Sequence, residues 1–66
     1  MKNKLKVLRA ERDMTQADLA DSLAVSRQTI NAIEKGKFNP SLPLVFKMSK
    51  LFELAIEEIF DNSEKE

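Results

Sequence analysis

Residues 15–36 read Thr15-Gln16-Ala17-Asp18-Leu19-Ala20-Asp21-Ser22-Leu23-Ala24-Val25-Ser26-Arg27-Gln28-Thr29-Ile30-Asn31-Ala32-Ile33-Glu34-Lys35-Gly36. Thr15 with Asp18 three residues later has the spacing of a capping box, with Asp where Glu or Gln is usual, and Ser26 with Thr29 gives a second N-cap signal eleven residues on. Two helices that begin this close together leave a connection of only about three residues, so they must cross at a steep angle.

The apolar positions agree with that geometry. Leu19, Ala20 and Leu23 form one stripe, Ile30 and Ile33 another, and Val25 sits in the turn where it can plug the corner between them. Arg27, Gln28, Asn31 and Lys35 are left on the outer face of the later helix. Guanidinium and amide groups at the start of an exposed helix suit the edges of base pairs in the major groove: Arg forks onto guanine O6 and N7, Gln or Asn onto adenine N6 and N7, and the Thr29 methyl suits a thymine methyl. Arg27 reaches a phosphate as readily as a base, Asn31 can serve either, and Thr29 also belongs to the Ser26 cap signal. Lys35, Lys37 and Asn39 follow the second helix and can hold the sugar-phosphate backbone.

The series Thr15-Gln16, Leu19-Ala20, Val25-Ser26, Arg27-Gln28-Thr29-Ile30, Ile33-Glu34, Gly36, Asn39-Pro40-Ser41-Leu42 and Ile56-Glu57-Glu58-Ile59-Phe60 resembles the Cro and phage-repressor helix-turn-helix family, also called the Xre family. The resemblance runs from about Leu5 to Phe60 and rests on several fixed spacings at once. It implies an all-α, compact five-helix bundle, a lambda-repressor-like DNA-binding domain with a helix-turn-helix. It implies further that Gln16 both donates to a phosphate and braces Gln28 or Arg27, and that Arg9 and Glu34 form a structural ion pair orienting the reading helix. Three residues depart from the family pattern. Ala24 stands where Gly often opens the corner, Glu53 replaces a common Gly after the fourth helix, and Ala55 replaces a common Ser or Thr cap before the fifth.

Sixty-six residues make one domain, expected over 1–66. A chain of this size buries only about 60% of the surface it exposes when unfolded, so its stability margin is thin. The absence of Cys rules out disulfides and thiolate-metal sites, and the absence of His removes the commonest transition-metal ligand and general base. No catalytic site, metal or cofactor is therefore expected. The formal charge is zero, yet residues 1–50 hold ten Lys or Arg against five Asp or Glu, while residues 51–66 hold one Lys against six acids. A basic body with an acidic end can meet phosphates with the acids turned away. No signal peptide or membrane span is legible, and a cytoplasmic location is expected.

Outward from the central stretch, a first helix is expected between Asn3 as cap and Arg12, with Leu5, Leu8 and Val7 in its apolar stripe. Met14 stands where a hydrophobic staple would place it, and Gly36 where a left-handed residue ends a helix. Ser41 caps a fourth helix that tolerates Pro43 in its first turn and runs to about Glu53, with Val45, Met48, Ser49 and Phe52 inward. A short fifth helix covers about Ile56 to Phe60, and 61–66 read as a frayed acidic tail. Leu44, Leu51, Ile56 and Phe60 are more apolar surface than a small monomer covers, which points to a two-fold dimer interface. The reading is a homodimeric regulator that binds a two-fold operator in double-stranded DNA, most simply as a repressor, with no membrane and no small-molecule effector implied. The alternative is a protein-interaction module, such as an antitoxin-like subunit or adaptor, that uses the apolar surface of the last two helices. An adaptor has no need of the polar opening of the third helix.

Overall fold

A computed structural model describes residues 2–61, and the path of the chain follows from how its helices start and stop. The elements are β1 (Lys2–Asn3), α1 (Leu5–Glu11), α2 (Gln16–Leu23), α3 (Arg27–Glu34), α4 (Leu42–Phe52), α5 (Ile56–Ile59) and β2 (Phe60–Asp61). Three starts use the caps expected from sequence. The Asp18 N–H donates to the Thr15 hydroxyl at 3.0 Å while the Thr15 N–H donates to the Asp18 carboxylate, closing the capping box. Thr29 N–H donates to Ser26 Oγ at 3.1 Å, and Leu44 N–H to Ser41 Oγ at 3.4 Å. Asn3 does less than expected as a cap, since Lys4 takes that place, but its side-chain carbonyl accepts from Leu5 N–H and its amide donates to the Ile33 carbonyl at 2.9 Å. It thereby ties the start of α1 to the end of α3.

The first four helices end in one and the same way. A left-handed residue follows each, at Asp13, Ala24, Gly36 and Glu53, and the next N–H turns back five residues: Met14 to Arg9, Val25 to Ala20, Lys37 to Ala32, Leu54 to Ser49. That is the Schellman arrangement, which satisfies carbonyls the helix leaves orphaned. Glycine is the residue it favours, and the chain has one, at Gly36. At Ala24 (φ 60°) and Glu53 (φ 56°) a Cβ meets the left-handed region's steric cost, roughly 1–2 kcal/mol each. Asp13 (φ 55°) does the same where no sequence signal marked it.

One apolar cluster unites the elements: Leu5 of α1, Leu19, Ala20 and Leu23 of α2, Ile30 and Ile33 of α3, Leu44, Met48 and Phe52 of α4, Ile59 of α5 and Phe60 of β2. Met14, Val25, Val45, Leu8, Leu51, Leu54 and Ile56 pack around it, half-buried, whereas Val7 is exposed. Two expectations need correction. Leu44 is only 7% exposed, because 44, 48 and 52 form the four-residue ridge that α4 turns inward. Phe60, expected at the end of the fifth helix and at a dimer contact, is 5% exposed in the core and lies outside the helix. Instead β2 pairs antiparallel with β1, Asn3 opposite Phe60 and Lys2 opposite Asp61, so the five helices are joined by a small ribbon. Asp61 thus belongs to an element, and the rest of the expected tail, 62–66, lies outside the described residues.

Candidate nucleic-acid interface

The corner between α2 and α3 sets the exposed face. Ala24 reverses the chain, Val25 packs against the core, and Ser26 caps α3. Burying Ile30 and Ile33 turns the opposite side of α3 outward, leaving Arg27 and Gln28 exposed and Thr29 and Asn31 half-exposed. The Thr29 hydroxyl lies 2.8 Å from Ser26 Oγ, so its oxygen serves the cap and its methyl is the part left for a base. Lys35, Lys37 and Asn39 are exposed beyond the end of α3. The structure therefore places the four expected base-reading residues on one helix, and the three phosphate candidates in the segment that follows it.

Behind this face lies a polar chain linking three helices. Arg9 Nε donates to Glu34 Oε2 at 2.7 Å and its Nη2 to Oε1 at 3.2 Å, a two-pronged ion pair whose side chains are 14% and 6% exposed. Arg9 Nη1 also donates to the Met14 carbonyl at 3.0 Å, so one guanidinium joins α1, the α1–α2 turn and α3. The Glu34 hydrogen bond raises the Arg9 pKa above its ordinary value, against burial, which lowers it, and with help from the Glu34 charge. Next in the chain is Gln16, whose Nε2 donates to Glu34 Oε1 at 3.1 Å and to Asn31 Oδ1 at 3.3 Å. The resemblance assigns Gln16 to Gln28 or Arg27; it braces Asn31 instead, one helical turn further along. Its two amide hydrogens are both spent within the protein, so no side-chain donor is left for a phosphate. Only its backbone N–H, in the first turn of α2, can play that part.

The expected dimer residues divide. Leu44 and Phe60 belong to the core, while Leu51 and Ile56 are half-buried at its edge. The apolar side chains that stand free on α4 are Leu42, 63% exposed, and Phe46, 54% exposed. Four apart on one helix, they share a face, and the i, i+4 spacing was the signal that could have found them. Arg12, unassigned from sequence, donates to the Phe52 carbonyl at 3.1 Å and lies 5.1 Å over the Phe52 ring, closing the end of α4. Among the described residues no helix is long and apolar enough to cross a membrane, and no cluster of His, Cys, Asp or Glu could hold a metal ion.

Known proteins carry the same pattern. An uncharacterized helix-turn-helix transcriptional regulator of Methanocaldococcus jannaschii is 63% identical over 60 residues, 91% of each chain. The cryptic phage CTXphi transcriptional repressor RstR of Vibrio cholerae is 37% identical over 94% of this chain and 56% of its own. The crystal structure of the restriction-modification controller protein C.AhdI of Aeromonas hydrophila superposes with a TM-score of 0.76 at 26% identity, covering 86% of both chains. Residues 5–59 match the helix-turn-helix family model, and the chain belongs to the Cro/C1-type helix-turn-helix family.

Proposed function

We propose that this protein is a sequence-specific regulator of transcription that binds double-stranded DNA through α3. The observation that carries the reading is the exposed run Arg27-Gln28, with Thr29 and Asn31 behind it, on a helix held from beneath by the Arg9–Glu34 pair. Arg27, Gln28, Thr29 and Asn31 meet base edges; Lys35, Lys37, Asn39 and the Gln16 backbone N–H hold phosphates. A single such helix spans only a few base pairs, so a homodimer on a two-fold operator doubles the reading, with Leu51 and Ile56 at the contact. Repression by covering a promoter is the simplest mechanism. The protein acts in the cytoplasm, without catalysis, cofactor or small-molecule effector.

Exposed Leu42 and Phe46 favour a second reading, in which α4 docks another protein and DNA is not the target. Selection from random-sequence duplexes, followed by mobility shift, separates the two. Enrichment of a two-fold sequence that Arg27→Ala and Gln28→Ala no longer favour supports the regulator. Recovery of no preferred sequence, with binding no tighter than to scrambled DNA, overturns it.

A further inference from the structure

We propose that Glu34, which is too buried to meet DNA, is a positioning residue that decides which end of the Asn31 amide faces the duplex. This rests on the reading of α3 as the DNA-reading helix. Donors and acceptors fix each amide in turn. A carboxylate only accepts, and both Glu34 oxygens are engaged by the Arg9 fork. Gln16 can therefore approach Glu34 Oε1 only with its nitrogen, so its amide cannot flip. That same nitrogen faces Asn31, which must answer with its oxygen. Asn31 Nδ2 has no partner among the described residues and is the end left for the groove. The Asn31 side chain thus presents N–H donors, already oriented before DNA arrives, and selects base-edge acceptors: guanine O6 and N7, thymine O4 or adenine N7, but nothing on cytosine, which only donates.

The isosteric change Glu34→Gln reverses the bonds of both amides. The new side chain keeps its oxygen on the shorter Arg9 bond, from Nε, gives up the one from Nη2, and offers its nitrogen to Gln16. Gln16 then turns its oxygen inward, Asn31 turns its nitrogen to Gln16, and Asn31 Oδ1 faces the groove. The preferred base should shift to one that donates, adenine N6 or cytosine N4. The test is selection from random duplexes by four full-length proteins: wild type, Glu34→Gln, Asn31→Ala and the double variant, with circular dichroism to confirm that each is folded. At the base pair whose preference Asn31→Ala abolishes, wild type should favour guanine or thymine over cytosine by about tenfold, and Glu34→Gln should move that preference toward cytosine. In the Asn31→Ala background, Glu34→Gln should change nothing further at that pair. A Gln16→Ala variant supplies a second route should Glu34→Gln not fold: it should broaden the preference at the same pair. The proposal is overturned if wild type favours cytosine there, if Glu34→Gln leaves the preference unchanged, or if its effect survives loss of Asn31. Failure of every protein to enrich any sequence would instead refute the underlying DNA reading.

Discussion

Removing the Glu34 carboxylate strands a guanidinium that is largely out of water. Arg9 would keep only the Met14 carbonyl, and Gln16 would lose one of its two acceptors. Glu34→Ala should accordingly cost about 3 kcal/mol of stability, far more than removal of a surface acid. Urea titrations of Arg9→Ala, Glu34→Ala and the double variant check this: the double loss should fall well short of the sum, and additive losses would mean that the two do not interact. The pair also has a defined pH range. Because the folded state holds Arg9 above its ordinary value, the contribution is complete below that value and is lost only as pH rises through the still higher folded one, so it is constant at neutral pH. The position of this pair was legible because the family resemblance carried it. Gln16 was legible as a brace but not in its partner, since the choice among Arg27, Gln28 and Asn31 depends on how α2 and α3 cross.

Among the helices and their connections, local chemistry was legible and tertiary choices were not. Thr15, Ser26 and Ser41 act on N–H groups three residues away, so their spacing alone located three helix starts. The ribbon left no trace, because two-residue strands have no periodicity, and its pairing joins the two ends of the described chain. Leu44 was misplaced for a related reason: Leu44 and Val45 both fit an apolar stripe, and only packing chooses which one enters the core. The left-handed helix ends make a direct prediction. Ala24→Gly and Glu53→Gly each relieve roughly 1–2 kcal/mol of steric cost against about 0.5–1 kcal/mol of added unfolded-state freedom. Each variant should be stabilised by up to about 1.5 kcal/mol in thermal or urea unfolding. A loss at Ala24 would mean that its methyl packs favourably enough to outweigh the strain. Ala55 is a different case, an N-cap without a hydroxyl: the Glu58 carboxylate accepts from its N–H at 2.8 Å, and Ala55 has no side-chain oxygen to return the bond. Ala55→Ser should complete that box and raise stability by about 1 kcal/mol, and an unchanged unfolding midpoint would show that the cap is not limiting.

Across the entire protein, charge and surface must serve one orientation on DNA. The basic surplus of residues 1–50 and the acidic surplus of 51–66 favour an approach with α3 and its trailing lysines toward the phosphates. Dimerisation through Leu51 and Ile56 would give twice the chain mass in sedimentation at micromolar concentration. Ile56→Asp should give a helical monomer, and a wild type that stays monomeric without DNA would exclude a preformed dimer. Whether the opening of α3 reads bases while the segment beyond it holds phosphates is decided by one titration series. Binding of wild type, Gln28→Ala and Lys37→Ala is measured on the selected operator and on scrambled DNA over a range of salt. Gln28→Ala should lose about 1–3 kcal/mol on the operator alone, with relaxed preference at one or two symmetric positions. Lys37→Ala should weaken both DNAs alike and flatten the salt dependence by about one unit for each phosphate that a subunit no longer touches. If Gln28→Ala leaves base preference untouched while Lys37→Ala alters it, the division of labour along α3 is contradicted.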